Sequence, residues 1–440
     1  MTSLARKLRK VDYFTIAFGT MVGVGWLVVM DDWLRRGGPL GAMLAFAIGG
    51  LALAPIGYIY GRLVMAIPDA ASEIAYTQRV FPPWVSFATG WMMTLAYLIV
   101  CPWEAVAIGK IAAYLFPSLN SLPLYHVAGQ AVYLPRLVLG LALIATVTWL
   151  NYQGIRLSAN FQNWMTFILL GLFLLFGGFC IQSGSIHNLL PLFPHGRVVS
   201  ILLVLQIVPY FMTGFEAVPK CAEEANPGFR ARGYFLAILL ALAAGTMFYV
   251  AVIGMVAYVQ PWPSLLHQSF ATAVAFQRAF HSRWLTSLVF AAALASLLKV
   301  CNGNFLAGSR LLFALGREGY INPAIGQVNP LKLTPANAVF CAGVLGVVGA
   351  LLGEAILVPI TEVGSLASSA GWLAACASYL YLEGSWGRRI MALLGLTVCA
   401  TLILMKFLPA IPGHFTRFEY AALAAWIAIG LMARRRKGLA

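Results

Sequence analysis

Long apolar runs recur along almost the whole chain, and they restrict the fold more than any other feature of the sequence. A spanning α-helix needs about 20 mostly apolar residues, and runs of that kind follow one another from Tyr13 onwards with only short polar breaks. Charged residues make up 10% of the chain, against about 25% of a soluble domain. The sequence therefore predicts an all-α integral membrane protein in a lipid bilayer, with no separate soluble domain.

The apolar runs divide into about twelve transmembrane helices. The first run follows a basic segment, as a secretory signal would, but it continues to Trp33 without a small-residue cleavage site and is better explained as a spanning helix. The predicted spans are residues 12–34, 39–67, 84–116, 133–151, 158–181, 197–225, 231–259, 284–316, 335–352, 356–382, 386–408 and 418–433.

The basic residues predict how the chain sits in the membrane. The net charge is +15, but lysines and arginines are distributed between the apolar runs and do not form the single basic face of a nucleic-acid-binding protein. With these spans, nineteen of the 29 lie on the side of the N-terminus, nine on the other side, and Lys299 within the membrane. By the positive-inside rule we expect both termini in the cytoplasm, in a multi-pass protein of the cell inner membrane.

Catalysis and metal binding are not expected from the sequence. The seven cysteines lie inside or at the ends of apolar runs, show no paired metal spacing and predict no disulfide framework. The six histidines lie near span ends or in loops, and none is combined with acidic or serine residues in a catalytic pattern. The sequence thus predicts no catalytic residue, no metal and no cofactor.

Two spans contain residues that interrupt a helix. The first contains Gly19, Gly23 and Gly25, and the sixth contains Pro209 and Gly214. Glycine frees the backbone and proline removes a donor, so both segments can leave the helical ladder near mid-membrane. These spans are corresponding members of two five-helix halves, which is where inverted-repeat transporters place broken helices. Close helix packing is the alternative explanation of the glycine spacing.

Four ordered motifs extend over residues 10–390. They are Gly23-Val24-Gly25-Trp26 in the first span, Pro102-Trp103-Glu104 in the third, Gly214-Phe215-Glu216 with the following Glu223-Glu224-x-Asn226-Pro227 at the sixth, and Ser309-Arg310-Leu311-Leu312-Phe313-Ala314-Leu315-Gly316-Arg317-Glu318-Gly319 at the end of the eighth. Together they resemble the amino acid/polyamine/organocation (APC) permeases, in particular bacterial amino acid permeases.

The resemblance implies a LeuT-type fold, which is a five-plus-five inverted repeat with broken helices 1 and 6, followed here by two C-terminal helices. Residues 1–11 would form a cytoplasmic tail, and residues 12–382 a transporter core of helices 1–10, with repeats at about 12–181 and 197–382. Residues 386–433 would form helices 11 and 12, and residues 434–440 a basic cytoplasmic tail. The implied activity is secondary active transport of an amino acid by alternating access.

The half-helix ends at the two breaks predict the substrate site. Unpaired N–H groups at residues 24–26 and around Phe215 suit a carboxylate, and free carbonyls at about Val22 and Met212 suit an ammonium group. One α-amino acid can satisfy both sets, although packing alone is the alternative role of the aromatic side chains. The residues predicted to bind substrate are Val22, Gly23, Val24, Gly25, Trp26, Glu104, Phe211, Met212, Thr213, Gly214 and Phe215.

Two acidic residues lie well inside predicted spans, where a charge costs at least about 2.5–3.5 kcal/mol and a functional role is the default. Glu104 in the third span can bind a substrate amine or take a proton, or it can be a structural partner of a hydroxyl or a break carbonyl. Glu216 stands at a half-helix N-terminus, so it is either a cap of the break or a proton carrier.

Lys299 is the basic residue that the predicted topology leaves near the middle of the membrane. The resemblance implies a lysine in the fifth helix of many proton-coupled members, but the fifth span here contains none. We expect Lys299 to replace it, with its amine against carbonyls of the first-helix break, because burial favours a neutral amine that can exchange protons. A fixed salt bridge to a glutamate is the alternative. Symport coupled to a proton gradient by Lys299, Glu216 and Glu104, and not to sodium, is therefore predicted.

Two alternatives to an amino acid permease remain open. In a permease or exchanger for a decarboxylated amine or polyamine, Glu104 would be the anion that binds the substrate. The N–H groups at the half-helix N-termini would then have no substrate carboxylate to bind. A transport-derived sensor or scaffold usually carries a soluble signalling domain, and no segment of the sequence fits one. The sequence makes no prediction of the oligomeric state.

Overall fold

The computed structural model of the chain describes residues 4–268, 270–411 and 414–435. Residues 1–3 of the predicted N-terminal tail and residues 436–440 of the predicted basic tail lie outside this described part.

The described residues form a bundle of α-helices, which assigns the fold to the all-α class. The helices are α1 Lys10–Met21, α2 Gly25–Val28, α3 Met30–Ala66, α4 Glu73–Gln78, α5 Pro83–Leu98, α6 Val100–Leu115, α7 Leu134–Gln153, α8 Ile155–Ser183, α9 Arg197–Leu205, α10 Val208–Met212, α11 Ala217–Lys220, α12 Arg232–Val259, α13 Ala271–Phe280, α14 Arg283–Arg317, α15 Ala336–Ala350, α16 Leu357–Leu382, α17 Trp386–Phe407 and α18 Arg417–Ala433. Short 3₁₀ helices are Pro117–Leu119, Ile186–Leu189, Ala222–Glu224, Trp262–Leu265, Pro323–Gly326 and Gly353–Ile356. The strands β1 Pro123–Val127 and β2 Gln130–Tyr133 form one antiparallel hairpin.

Each predicted span coincides with one or more of these helices. Among the described residues, eight helical segments are long and apolar enough to cross a membrane, and Ala336–Ala350 is an apolar but shorter helix. These helices confirm the integral membrane class, while the total of twelve crossings stays a prediction. Between the spans, the hairpin and the short helices α4 and α13 were not predicted.

The break predicted in the first span is confirmed. Helix α1 ends at Met21, and α2 begins at Gly25. Between them Val22 has an extended backbone, with φ −90° and ψ 96°. A second interruption follows at Gly38, whose φ of 63° separates the end of the first predicted span from the second within α3.

The break predicted in the sixth span is also confirmed. Helix α10 ends at Met212, Thr213 is extended with ψ 133°, and α11 begins at Ala217. Gly214 between them has a φ of 141°, a conformation that side chains other than glycine rarely adopt. The glycine thus determines where the chain leaves the helix.

Both ends of the described chain contact the same end of the bundle, which we name the terminal face. The amide of Leu8 donates to the carbonyl of Glu224, and the amide of Arg435 donates to the carbonyl of Tyr320, both at 2.8 Å. Arg317, close in sequence to Tyr320, forms a 2.9 Å ion pair with Glu223, the residue before Glu224. This ion pair connects the segment that contacts Leu8 with the segment that contacts Arg435.

Two basic residues that the predicted topology placed on the cytoplasmic side, near the ends of spans, are buried in ion pairs. Lys220 contacts Glu73 at 2.7 Å and Arg310 contacts Glu224 at 2.8 Å, and all four side chains are fully buried. Removing one partner of a buried pair leaves an uncompensated charge, at a cost of about 3–5 kcal/mol. These pairs therefore hold together helices that are far apart in sequence. In the described part of the chain the buried basic residues are Lys220, Lys299, Arg310 and Lys406.

The last helix is attached to the bundle by two tryptophans. The indole Nε1 of Trp91 in α5 donates to the carbonyl of Trp426 in α18 at 3.0 Å, and the indole of Trp426 donates back to the carbonyl of Trp91 at 3.2 Å. Their rings stack with centroids 4.5 Å apart. A Cβ at Gly430 would overlap the Trp91 ring, so glycine permits the close approach.

Candidate functional site

The two breaks meet directly, backbone against backbone. A Cβ added to Gly214 would lie 2.5 Å from the amide nitrogen of Met21 and 2.8 Å from the carbonyl carbon of Thr20. Only a glycine allows this approach, which adds to the demand of its positive φ. The unwound segments of the first and sixth spans therefore border one common space.

A small cavity occupies that space. It has a volume of about 20 Å³, which is room for about one water molecule. An amino acid can enter only when lining side chains move, and the ring of Phe211 is the most direct obstacle because it contacts Gly25. The lining residues are Thr20, Met21, Gly23, Gly25, Val100, Trp103, Glu104, Tyr210, Phe211, Thr213, Val300 and Asn304.

The carbonyls of the first break are occupied by side chains of helix α14. The carbonyl of Val22 accepts hydrogen bonds from Lys299 Nζ and from Ser296 Oγ, the latter at 3.2 Å. Ser296 also donates to the carbonyl of Gly23 at 2.8 Å. Ser296 has one hydroxyl hydrogen, which the two carbonyls share and which lies nearer that of Gly23. A substrate ammonium group at Val22 would therefore compete with Lys299 and with this shared hydrogen.

Glu104 in α6 also contacts the first break. Its carboxylate accepts a hydrogen bond from the backbone amide of Val24, and its Oε1 lies 3.1 Å from the position of a Cβ at Gly23. The side chain is 2% exposed, and Oε2 has no hydrogen-bond partner in the described part of the protein. One end of the carboxylate is thus engaged with the break, and the other is available to a ligand.

Lys299 lies against the first break, where the sequence predicts it. Its Nζ donates to the carbonyls of Gly19, at 3.3 Å, and Val22, and it lies 5.5 Å from the centre of the Phe18 ring. No carboxylate of the described residues lies within 4.0 Å of this fully buried amine, so the fixed salt bridge does not form there. On the fifth span, α8, the side chains that face Gly19 are those of Gln162 and Thr166.

Glu216 binds the sixth break. Its Oε2 accepts a hydrogen bond from the amide of Gly214, two residues earlier, at 3.0 Å, but its side chain makes no cap hydrogen bond to the first turn of α11. Oε1 has no hydrogen-bond partner among the described atoms. Its backbone carbonyl accepts from Lys220 at 2.9 Å. Since Lys220 also pairs with Glu73, a charged pair that the sequence did not predict stands directly beside the break.

The structure separates the predicted site residues into two groups. Gly23, Gly25, Glu104, Phe211 and Thr213 line the cavity. The others, which lie at the breaks but not in the lining, are Val22, Val24, Trp26, Met212, Gly214 and Phe215.

Two of the predicted aromatic walls pack elsewhere. The ring of Trp26 lies edge-on to Phe248, with centroids 6.3 Å apart, and borders a different, apolar cavity. Phe215 packs on Trp372 and Tyr60, with centroid distances of 5.6 and 5.8 Å. In this structure both side chains pack against other aromatic rings, which is the alternative to the predicted role as walls of the substrate site.

Sequence reasoning missed three polar residues that line the cavity, namely Thr20, Tyr210 and Asn304. Asn304 carried a usable signal, because it is a polar residue inside an apolar span, five positions after Lys299. Thr20 and Tyr210 carried none, since a threonine or a tyrosine in a spanning helix usually only packs or bonds to its own helix.

Comparison with known proteins gives one consistent result. The family model described as "Amino acid permease" matches residues 8–433. The branched-chain amino acid permease BcaP of Bacillus subtilis is 25% identical over 83% of this chain and 77% of its own length. The methylthioribose transporter of the same organism is 26% identical over 83% and 79%, and the amino-acid permease RocE is 23% identical over 88% and 82%.

Proposed function

Since the chain belongs to the amino acid permease family, we propose that it carries an amino acid across the cell membrane by alternating access, driven by a proton gradient that acts through Lys299. The family identifies the protein as a membrane transporter and not as an enzyme. Relatives that are named as amino acid permeases support an amino acid as the substrate.

The meeting of the two breaks supports a substrate site at the cavity. Backbone that leaves the helix inside a membrane is tolerated only where protein or a polar cavity satisfies it, and here the two unwound segments border the same space. Gly25 exposes its backbone to this cavity beside Phe211. Movement of the Phe211 ring away from Gly25 would open room for a substrate, and its return would enclose the substrate.

The contacts of Lys299 carry the coupling proposal. A protonated amine makes charge-assisted hydrogen bonds to the carbonyls of Gly19 and Val22 and so holds the first break in its unwound shape. A deprotonated amine loses the charge and part of that attraction. No described carboxylate lies within 4.0 Å of Lys299, but the carboxylate of Glu104 interacts with its charge at longer range. A change in the charge of Lys299 would therefore act on Glu104 as well as on the break. Loss and gain of one proton would thereby bias the break between two arrangements.

The proposed location is the inner membrane, with both termini in the cytoplasm. The basic bias of the loops supports this orientation, and so does the contact of both chain ends with the terminal face. A reporter enzyme that works only outside the cytoplasm, fused after Ala440, is expected to give no signal. A signal equal to that of a fusion in the loop of the β1–β2 hairpin would overturn the orientation.

Uptake into proteoliposomes tests the function. The panel contains L-alanine, L-leucine, L-methionine, L-lysine and their decarboxylated amines, each assayed with an inward proton gradient, without a gradient, and with a sodium gradient alone. We expect at least one amino acid to accumulate with the proton gradient and none with sodium alone. Accumulation of amines only would favour the amine permease, for which the free oxygen of Glu104 would bind the substrate. A strict sodium requirement would contradict the coupling proposal.

A further inference from the structure

Four buried polar atoms around the cavity have no hydrogen-bond partner among the described residues. They are Thr20 Oγ1, Glu104 Oε2, Tyr210 OH and Asn304 Oδ1, on side chains that are 1%, 2%, 8% and 1% exposed. All four residues line the same cavity between the breaks. Buried polar groups are nearly always paired in native proteins, so such a concentration at one place requires an explanation.

The set is rich in acceptors. Asn304 donates both amide hydrogens, to the carbonyls of Thr20 at 3.0 Å and Val300 at 2.8 Å, so its unpaired atom is the oxygen. The amide of Val24 binds the carboxylate of Glu104, and the carboxyl oxygen Oε2 stays unpaired. The hydroxyl groups of Thr20 and Tyr210 can accept as well as donate. The chemical complement of this set is a compact group that donates several hydrogen bonds.

The carbonyls of the first break, where such a group could also bind, already accept hydrogen bonds here. The carbonyl of Val22 accepts from Lys299, and the one hydroxyl hydrogen of Ser296 is shared between the carbonyls of Val22 and Gly23. An ammonium group that approached these carbonyls would have to compete with side chains of α14. The unpaired acceptors of the lining hold no donor that it would have to displace.

On the premise of the proposed function, we propose that Thr20, Glu104 and Asn304 receive the α-ammonium group of the substrate, with the Tyr210 hydroxyl beside them. An ammonium group has three N–H donors, and the three side chains supply three acceptors. Glu104 adds the negative charge that distinguishes an ammonium group from a hydroxyl group of the same size. These residues therefore select substrates with a free primary amine, and Asn304, Thr20 and Tyr210 become specificity residues.

The test compares each amino acid with its 2-hydroxy acid, in which a hydroxyl group replaces the ammonium group. Uptake of the panel amino acid that the wild-type protein transports best, among L-alanine, L-leucine, L-methionine and L-lysine, is inhibited by the unlabelled amino acid or by its 2-hydroxy analogue. The measurement is made as exchange without a proton gradient, so that a role of Glu104 in coupling does not affect it. The discrimination ratio is the inhibition constant of the hydroxy acid divided by that of the amino acid.

We expect a wild-type ratio of at least tenfold. Glu104→Gln exchanges an acceptor oxygen for a donor at nearly constant shape and should lower the ratio at least tenfold, while Thr20→Val removes one acceptor and should lower it several-fold. Ser296→Ala is the matched control, because it frees the break carbonyls without touching the lining, and its ratio should stay within twofold of wild type. Each variant is checked by size-exclusion chromatography in detergent.

The outcomes separate the two proposals. If the wild-type protein neither exchanges any amino acid in the panel nor accumulates one with the proton gradient, the proposed function has failed. If it exchanges one and Thr20→Val and Glu104→Gln both keep the wild-type ratio, the ammonium site is not at these residues. A ratio that changes in Ser296→Ala alone would assign the ammonium group to the break carbonyls instead. Should Glu104→Gln fail to fold, the ratio of Thr20→Val alone decides the question.

Discussion

Replacing Lys299 by methionine should uncouple transport from the proton gradient while leaving substrate binding in place. The variant keeps the apolar stem but removes the charge and the donor to Gly19 and Val22. Val22 keeps its share of the Ser296 hydroxyl hydrogen, whereas the carbonyl of Gly19 loses its Lys299 donor outright. An unsatisfied buried acceptor costs about 1–3 kcal/mol, and the variant no longer has to bury an ammonium group, which offsets part of that cost. A folded protein with a modest loss of stability is therefore expected.

The size of the transport defect follows from the coupling. If one proton moves with each substrate molecule, a pH difference of one unit supplies about 1.4 kcal/mol and supports about tenfold accumulation. In proteoliposomes with such a gradient, the wild-type protein should approach this ratio, and Lys299→Met should equilibrate substrate to a ratio of about one. Lys299→Arg should fail in the same way, because arginine stays protonated at any working pH. Ser296→Ala, which removes a donor from the same carbonyl without removing charge, should still accumulate. Wild-type accumulation by Lys299→Met would refute the assignment of the coupling group.

Two further substitutions test the geometry of the breaks. Gly25→Leu should abolish substrate binding, because even a Cβ at this position overlaps the Phe211 ring, whereas Gly171→Leu, where a Cβ meets nothing within 4 Å, should bind normally. A scintillation proximity assay on protein purified in detergent measures substrate binding by both variants. Normal affinity of Gly25→Leu would contradict the cavity assignment. Lys220→Met should lower the free energy of unfolding by about 3–5 kcal/mol, because it leaves Glu73 buried without its charged partner. In denaturant unfolding, the double variant with Glu73→Gln should recover part of this loss. If Lys220→Met is as stable as the wild-type protein, the pair does not hold the helices together.

The breaks and their neighbours could be predicted because backbone chemistry is local. Gly214 has a φ of 141° and lies against the backbone of Met21. Both the backbone angle and the close approach require glycine, so the residue type itself indicates the break. The position of Lys299 could be predicted because a charged group within an apolar run needs hydrogen-bond acceptors inside the protein. The carbonyls of the first break were the free acceptors that the sequence predicted there.

The partners of the buried charges could not be predicted from the sequence. Lys220 and Glu73 are 147 residues apart, and each lies near the end of a predicted apolar run, where a charge is normally assigned to a loop. Burial there depends on how α4 and α11 pack in three dimensions, and α4 itself was not predicted. The local pattern contains no information on that packing.

The lining of the cavity was only half predictable for a similar reason. The aromatic residues Trp26 and Phe215 lie at the breaks in sequence, yet their rings pack on Phe248 and Trp372. Asn304, far away in sequence, is brought in by α14. The direction in which a side chain leaves an irregular segment depends on the backbone angles of that segment, which a residue pattern does not specify.

The stacked pair of Trp91 and Trp426 offers an optical reporter of the last helix. Two indoles 4.5 Å apart at an angle of 17° have strongly interacting electronic transitions, so the pair should give a characteristic near-ultraviolet circular dichroism band. The band would be lost when α18 detaches, even if every other helix stayed intact. Detergents and lipids for purification could thus be ranked by one spectrum, without any knowledge of the transported molecule.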